Sequence, residues 1–244
     1  MSLAENERFS MVAPYPDVLQ DAFRQARDAD ASLNERLEYF AEAVRSFSAS
    51  FADAVDRLIA RLRQHGTGLS APAPGHAMPP FVLTDDDGHL VTLDDVLSRG
   101  PAALAFHRGH WCPYCRINTS ALAAAHIKAR ASGGQIVAIT PERQRFTIDL
   151  KSDAAAPFPI LTDLDNAYAL SLNLAFSVGD EMKRLLERFG LDLSSYQGND
   201  AWMLPIPATF VVGTDGRVTA RFVDPDYRRR MPIEDLLEAL RSSI

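Results

Sequence analysis

Ala102-Ala103-Leu104-Ala105-Phe106-His107-Arg108-Gly109-His110-Trp111-Cys112-Pro113-Tyr114-Cys115 is the stretch on which the reading of this chain turns. Its first five residues make a short apolar run suited to a buried strand. Beyond it, Arg116–Arg130 is Ala-rich, carries no Gly or Pro, and stops at Gly133-Gly134, which predicts a helix. Cys112 therefore falls where a strand ends and a helix begins. Pro113 suits the first helical turn, where its missing N–H is harmless. The Cys112 sulfur should then face free backbone N–H groups and the positive end of a helix dipole. That setting favours thiolate over thiol, and the thiolate is the nucleophile. Cys115, one turn on, can reach back to form a disulfide. It is the more enclosed of the two and the natural resolving partner.

These are the only two cysteines in 244 residues. The loop they would close is too short for a disulfide between them to add much stability. A structural metal site needs about four ligands. One Cys pair with His107 and His110 nearby does not supply a second ligand pair, so no metal is expected. A lone C-x-x-C between strand and helix is a redox signal.

Outward from this motif, strands and helices alternate. Phe81-Val82-Leu83 and Leu90-Val91 around Asp87-Gly88 read as a hairpin. Ile136–Ile139 reads as a buried strand, Pro141–Leu150 as a helix, Pro159–Leu161 as a strand and Asn166–Leu172 as a helix. An irregular or helical segment then runs to about Leu204. Thr209–Val212 and Val218–Val223 flank Asp215-Gly216 as a second hairpin, and Ile233–Leu240 closes the chain as a helix. This pattern predicts an α/β fold, a mixed sheet with helices on its faces.

Upstream, Asp17 to His65 contains no Gly or Pro. Leu33, Phe40, Phe47 and Ala54 recur every seven residues, with Leu37, Val44, Phe51 and Leu58 offset by four. Ser32-Leu33-Asn34-Glu35 resembles a capping box. One helix over 33–64 would be roughly 48 Å long. Its stripe has two readings: packing on the chain's own catalytic part, or a helical arm shared across a homodimer. Gly66-Thr67-Gly68 and Pro72, Pro74, Gly75, Pro79 and Pro80 read as a stiff linker. The expected organisation is a helical extension and linker over 1–75 and a catalytic domain over 76–244.

A net charge of −7 argues against nucleic acid as partner. Met1-Ser2-Leu3-Ala4-Glu5-Asn6-Glu7 lacks the pattern of a secretory leader, and no apolar run approaches the ~20 residues of a membrane span. A cytoplasmic chain with no membrane contact is expected.

Trp111-Cys112-Pro113-Tyr114-Cys115 with Pro207-Ala208-Thr209 downstream resembles the thioredoxin superfamily. Phe81–Asp85, Val137-Ala138-Ile139-Thr140-Pro141, Leu204-Pro205-Ile206-Pro207-Ala208-Thr209-Phe210 and Asp215-Gly216-Arg217 make the chain similar to its peroxiredoxin-like branch, the alkyl hydroperoxide reductase/thiol-specific antioxidant family, over about 76–244. The resemblance implies a thioredoxin-like fold and a thiol peroxidase with no cofactor beyond the Cys112–Cys115 pair. Cys112 would attack the peroxide and become a sulfenic acid, which Cys115 would condense with. An external dithiol, such as a thioredoxin or glutathione system, would reset the disulfide.

Two places depart from that family's pattern. Gly109 stands where a Thr is expected three residues before the attacking Cys, and Ala105 where a Pro is expected. An Arg should support the thiolate, with Arg108, Arg228, Arg229 and Arg230 as candidates. Trp111 is a candidate to shield the sulfur, Tyr114 to tune redox poise through packing, and a protonated His110 to lower the Cys112 pKa. Thr140 is placed to face the site from the next strand's end. A cis Ile206-Pro207 bond is expected, turning the Ile206 backbone toward the cysteines. Three functions stay open: hydroperoxide reduction, thiol–disulfide exchange on protein or small-molecule disulfides, and a redox-sensing or binding module whose partner docks on the N-terminal helix.

Overall fold

The computed structural model describes residues 16–243; the Met1–Glu7 run lies outside the described residues. Three helices come first: α1 (Asp17–Asp28), α2 (Leu33–Phe47) and α3 (Ala49–Gln64). The expected 33–64 rod is thus two helices broken at Ser48, and α1 is a further helix within the same Gly- and Pro-free run. Ser48 is extended, with φ −149° and ψ 92°. Its Oγ accepts the Phe51 N–H at 3.3 Å, and its own N–H closes α2 on Val44 O at 2.9 Å. A serine that caps the next helix competes with continuing the previous one. The capping box at Ser32 and Glu35 forms as expected.

The catalytic part follows as β1 (Val82–Thr84), β2 (Leu90–Thr92), α4 (Leu93–Leu97), β3 (Ala102–Phe106), α5 (Pro113–Ala131), β4 (Gln135–Thr140), α6 (Gln144–Asp153) and β5 (Ile160–Thr162). A 3-10 turn at Leu164–Asn166 leads to α7 (Ala167–Ser171). The segment read as irregular or helical contains β6 (Ala175–Ser177), α8 (Gly179–Arg188), α9 (Leu193–Gln197) and β7 (Met203–Pro205). The chain ends with β8 (Ala208–Val212), β9 (Val218–Val223) and α10 (Ile233–Arg241).

Seven strands form one mixed sheet in the order β2-β1-β5-β4-β3-β8-β9, and β6 pairs with β7 apart from it. β3 runs parallel to β4 and antiparallel to β8. Every β3 side chain is buried. Ala103 and Ala105 face one core with Leu122 of α5, Leu150 of α6 and Leu240 of α10. Leu104 and Phe106 face the other, with Phe210. This two-faced burial explains why the strand reads as a continuous apolar run rather than an alternating one.

The N-terminal helices share that second core. Phe23, Leu37, Phe40 and Leu58 stand in one apolar cluster with Trp111, Tyr114 and Phe106. Phe40 meets Phe23 edge-on at 6.3 Å and Tyr114 at 5.1 Å. Burial of each such ring contributes roughly 1.5–3 kcal/mol. Packing within the chain therefore accounts for most of the heptad stripe; Phe47, 41% exposed, is the main exception. The Pro/Gly-rich linker is strapped to the β8–β9 hairpin: Gly75 N–H donates to Val218 O and Met78 N–H to Gly216 O, both at 2.8 Å. No helix among the described residues is long and apolar enough to cross a membrane.

Candidate active site

β3 delivers the chain to residues 107–111, and α5 carries it away. Cys112 is the residue before the first turn of α5, with φ −93° and ψ 113°, and Pro113 opens the helix. The Cys112 carbonyl accepts the Cys115 and Arg116 N–H groups at 3.0 and 3.1 Å, so both cysteines are held in one turn. Both are free thiols with no exposed surface.

Two guanidiniums meet the two sulfurs. Arg108 Nη2 donates to Cys112 Sγ at 3.4 Å, and the Arg108 backbone N–H to Cys115 Sγ at 3.2 Å. Arg230 Nη2 lies 3.7 Å from Cys115 Sγ. Both arginines are buried. Arg108 is clamped between aromatic rings, its guanidinium carbon 3.6 Å from the Tyr227 centroid and 4.7 Å from that of Trp111. Trp111 Nε1–H donates to Arg108 O at 3.1 Å. Arg230 is fixed through Nη1 to the carbonyls of Tyr227 and Arg229.

A buried cation needs a compensating charge, since an unpaired one costs several kcal/mol. Burial works against the Arg108 charge, but Cys112, Tyr227 and Cys115 outweigh it and raise its pKa. None of these is a carboxylate, so the compensating anion is a thiolate. Burial alone would raise the Cys112 thiol. The Cys115 hydrogen bond and the Arg108 and Arg230 charges overcome that and hold it well below the usual thiol range. Cys115 goes the other way: burial and its hydrogen bond to Cys112 push it well up. One nucleophilic thiolate beside one retained thiol is the division of labour expected of attacking and resolving cysteines.

The other candidates are placed as follows. Tyr114 stacks edge-on between Tyr227 at 5.3 Å and Phe40 of α2, so the residue between the cysteines is held by the N-terminal extension. The His110 ring turns away, its Nε2 2.8 Å from Asp153 Oδ2 on α6; His110 joins the site through its backbone. His107 is buried beside Asn118 Nδ2 at 2.8 Å, and burial first, then the Arg230 charge, lowers it to about 3, so it is neutral. Arg228 is committed to Asp226 and Asp56 at 2.8 and 2.9 Å, and Arg229 to Asp224 at 3.3 Å. Of that triplet, Arg230 is the one that reaches a sulfur. The Ile206-Pro207 bond is not cis, since no peptide bond among the described residues is. Ile206 N–H donates to Leu174 O at 2.8 Å, which commits that group to β-type pairing away from the cysteines. An extended run from β7 into β8 needs no cis turn, and trans is the lower-energy form.

Sequence reasoning missed Glu142. Its carboxyl is fully buried at the end of β4, where Thr140 Oγ1 accepts the Glu142 N–H at 3.4 Å. Glu142 Oε2 accepts the His110 N–H at 2.6 Å. The sequence carried one signal of it. Gly109 has φ +136°, and a Cβ there would overlap the Glu142 carboxyl carbon and Oε1. A Thr at 109 would force the Glu142 carboxyl aside and would be strained at that φ. α6, expected from Pro141, begins at Gln144.

The AhpC/TSA family profile matches residues 74–221. The chain belongs to the AhpC/TSA family. Solved structures of similar fold include a peroxidoxin, BcpB, of Mycobacterium tuberculosis, at 19% identity and TM-score 0.55, covering 70% of this chain and 97% of that one. Peroxiredoxin 6 of Arenicola marina, in a form with one cysteine replaced by serine, aligns at 16% identity and TM-score 0.55, covering 70% of this chain and 72% of that one. Peroxiredoxin Q of Xanthomonas campestris aligns at 15% identity and TM-score 0.50, covering 66% and 90%. No curated protein matches the chain in sequence. As an AhpC/TSA member with a peroxiredoxin-like fold, the chain is a thiol peroxidase or oxidoreductase; the pairing of two buried arginines with two cysteines is what its own site adds.

Proposed function

We propose that this AhpC/TSA protein reduces hydroperoxides bearing a bulky apolar group, with Cys112 as attacking thiolate and Cys115 as resolving thiol. The observation that carries this is that Arg108, the partner of Cys112, lines an apolar cleft. Trp111, Phe40 and Val44 of α2, and Met182 and Phe189 at α8 line it too. An apolar body would occupy the cleft while its O–O group reached the thiolate and the guanidinium. The Cys112 thiolate takes the terminal oxygen, becoming a sulfenic acid and releasing an alcohol. Cys115 then condenses with it, releasing water and leaving a disulfide. An external dithiol, of the thioredoxin or glutathione kind, returns both sulfurs to the reduced state.

Thiol–disulfide exchange is the second reading, supported by the C-x-x-C spacing. The complete burial of both sulfurs weighs against a protein disulfide as substrate and leaves small disulfides. The test mixes reduced protein with hydrogen peroxide or cumene hydroperoxide and follows tryptophan fluorescence, since Trp111 adjoins Cys112. Rapid oxidation, faster with cumene hydroperoxide and abolished by Cys112→Ser, is expected. Slow oxidation alongside fast reduction of a model disulfide overturns the peroxidase reading. Cys115→Ser should trap a sulfenic acid on Cys112, detected by mass spectrometry.

A further inference from the structure

The loop over 224–232, between β9 and α10, brings Arg230 to Cys115, and the N-terminal helices hold that loop. Asn34, in the first turn of α2, pairs with the Arg230 backbone on both sides. Its Nδ2 donates to Arg230 O at 3.2 Å, and its Oδ1 accepts the Arg230 N–H at 3.3 Å. α3 adds two ion pairs to the same loop, Asp56 to Arg228 at 2.9 Å and Arg63 to Asp224 at 3.2 Å. These residues all lie outside the 74–221 that the family profile matches. We propose that Asn34 is a positioning residue for the resolving step: it fixes Arg230 where the guanidinium favours the thiolate of Cys115 once Cys112 has become a neutral sulfenic acid. This rests on the peroxidase reading for the oxidant of Cys112 only.

Contact and charge balance carry it. Arg230 is buried, and its side chain meets two carbonyls and the Cys115 sulfur, the last at 3.7 Å from Nη2. Arg228 and Arg229 are spent on Asp226, Asp56 and Asp224. Before attack, the Cys112 thiolate supplies the negative charge between the arginines, and it helps to keep Cys115 protonated. Oxidation of Cys112 removes that charge while the buried cations stay, and a buried cation without an anion is costly. Cys115 is the neighbour that can take the charge up. Arg108 faces it as well, its backbone N–H donating to Cys115 Sγ at 3.2 Å. His107, just after β3, is buried and neutral, so it adds no competing charge. Arg230 sits in a loop with no helix or sheet ladder to fix it, and the attraction falls with distance. An amide that pairs both sides of its backbone therefore sets how strongly the Cys115 thiolate is favoured.

The step balances. Cys112 enters it as Cys112–SOH. Cys115–SH gives up its proton, and the thiolate attacks the Cys112 sulfur. The S–S bond forms, the S–O bond breaks, and hydroxide leaves. That hydroxide takes up one proton, the equivalent of the one Cys115 lost, and departs as water. The Cys115 sulfur is oxidised as the sulfenic sulfur is reduced, so no further oxidant enters.

Stopped-flow tryptophan fluorescence with cumene hydroperoxide separates attack, whose rate scales with peroxide, from disulfide formation, whose rate does not. The second rate is followed against pH. Asn34→Leu, which keeps the size and removes both hydrogen bonds, should raise its midpoint by about one pH unit and slow it about tenfold at pH 7. Arg230→Met should raise the midpoint by about two pH units, and Arg230→Lys, which keeps the charge, should recover part of that. The double variant Asn34→Leu with Arg230→Met should match Arg230→Met alone, since Asn34 acts through the arginine. Attack, measured in a Cys115→Ser background, should lose far less than resolution in Asn34→Leu. A resolution midpoint that stays in place while Asn34→Leu merely lowers the unfolding midpoint overturns the proposal. Equal losses in both phases, or a further shift in the double variant, overturn it too. Should the unmutated protein fail to react with peroxide, the peroxidase reading falls, and the same midpoints are read after methyl methanethiosulfonate has loaded Cys112 as a methyl disulfide. Cys115 then expels methanethiolate, and mass spectrometry follows the loss.

Discussion

Replacing Arg108 with Met should raise the Cys112 pKa by about two to three pH units. The guanidinium nitrogen stands 3.4 Å from Sγ with both groups buried. At that separation and an effective permittivity near 20, two opposite charges attract by roughly 5 kcal/mol. At about 1.36 kcal/mol per pH unit, that is about three and a half units, and Arg230 and the α5 dipole remain to soften the loss. Met is unbranched and fills the slot between Tyr227 and Trp111. The variant should fold, because the cation and the anion it compensates disappear together as Cys112 takes up a proton. The assay is thiolate absorbance against pH in the Cys115→Ser background, with peroxide oxidation at pH 7 alongside. The thiolate fraction and the rate should fall together, by about 100-fold for a two-unit rise. A midpoint that stays where the unmutated protein has it would refute the argument, because Arg108 could then not be the counter-ion of Cys112.

The opposed shifts of Cys112 and Glu142 also predict how stability varies with pH. A thiol with a lowered pKa stabilises the fold more as pH rises from its folded value toward about 9; a carboxyl raised from 4.5 to about 8 stabilises it below 4.5 and loses that contribution as pH rises through about 8. The two offset in the unmutated chain. Denaturant midpoints should therefore vary little with pH there, rise with pH in Glu142→Gln and fall with pH in Cys112→Ser, by up to about 1.4 kcal/mol per pH unit. Gly109→Thr, which brings the sequence nearer the family's pattern, should instead cost more than about 2 kcal/mol in urea unfolding, from strain at positive φ and overlap with Glu142. Val44→Gln, placing an amide in the cleft wall, should slow cumene hydroperoxide by about tenfold, or about 1.4 kcal/mol, and leave hydrogen peroxide unchanged in stopped-flow oxidation.

The α/β order, the two hairpins and the helix after the cysteines were legible because each rests on local chemistry: apolar runs, Asp-Gly turns, a proline after Cys112. Cys112 and Arg108 were legible for the same reason, being four residues apart. The break at Ser48 was hidden, since a heptad stripe runs through it unchanged and a serine is compatible with both a helix and a cap. The Ile206-Pro207 bond was misread because its conformation depends on what Ile206 N–H pairs with, and that partner, Leu174, lies on a different segment.

Arg230 and Glu142 mark the boundary most clearly. From the sequence alone, Cys112 is placed at a helix N-terminus with Cys115 one turn away, because strand, proline and helix are contiguous there. Which arginine of Arg228-Arg229-Arg230 meets a sulfur, which carboxyl stands beside the loop, and that Phe40 of an N-terminal helix packs on Tyr114 depend on packing residues 32 to 115 positions apart. Burial then decides their charges, and burial is a property of the assembled core. Gly109 belongs to both sides: the sequence displays the glycine, and the tertiary structure supplies its reason, a carboxyl from another strand lying where its side chain would be.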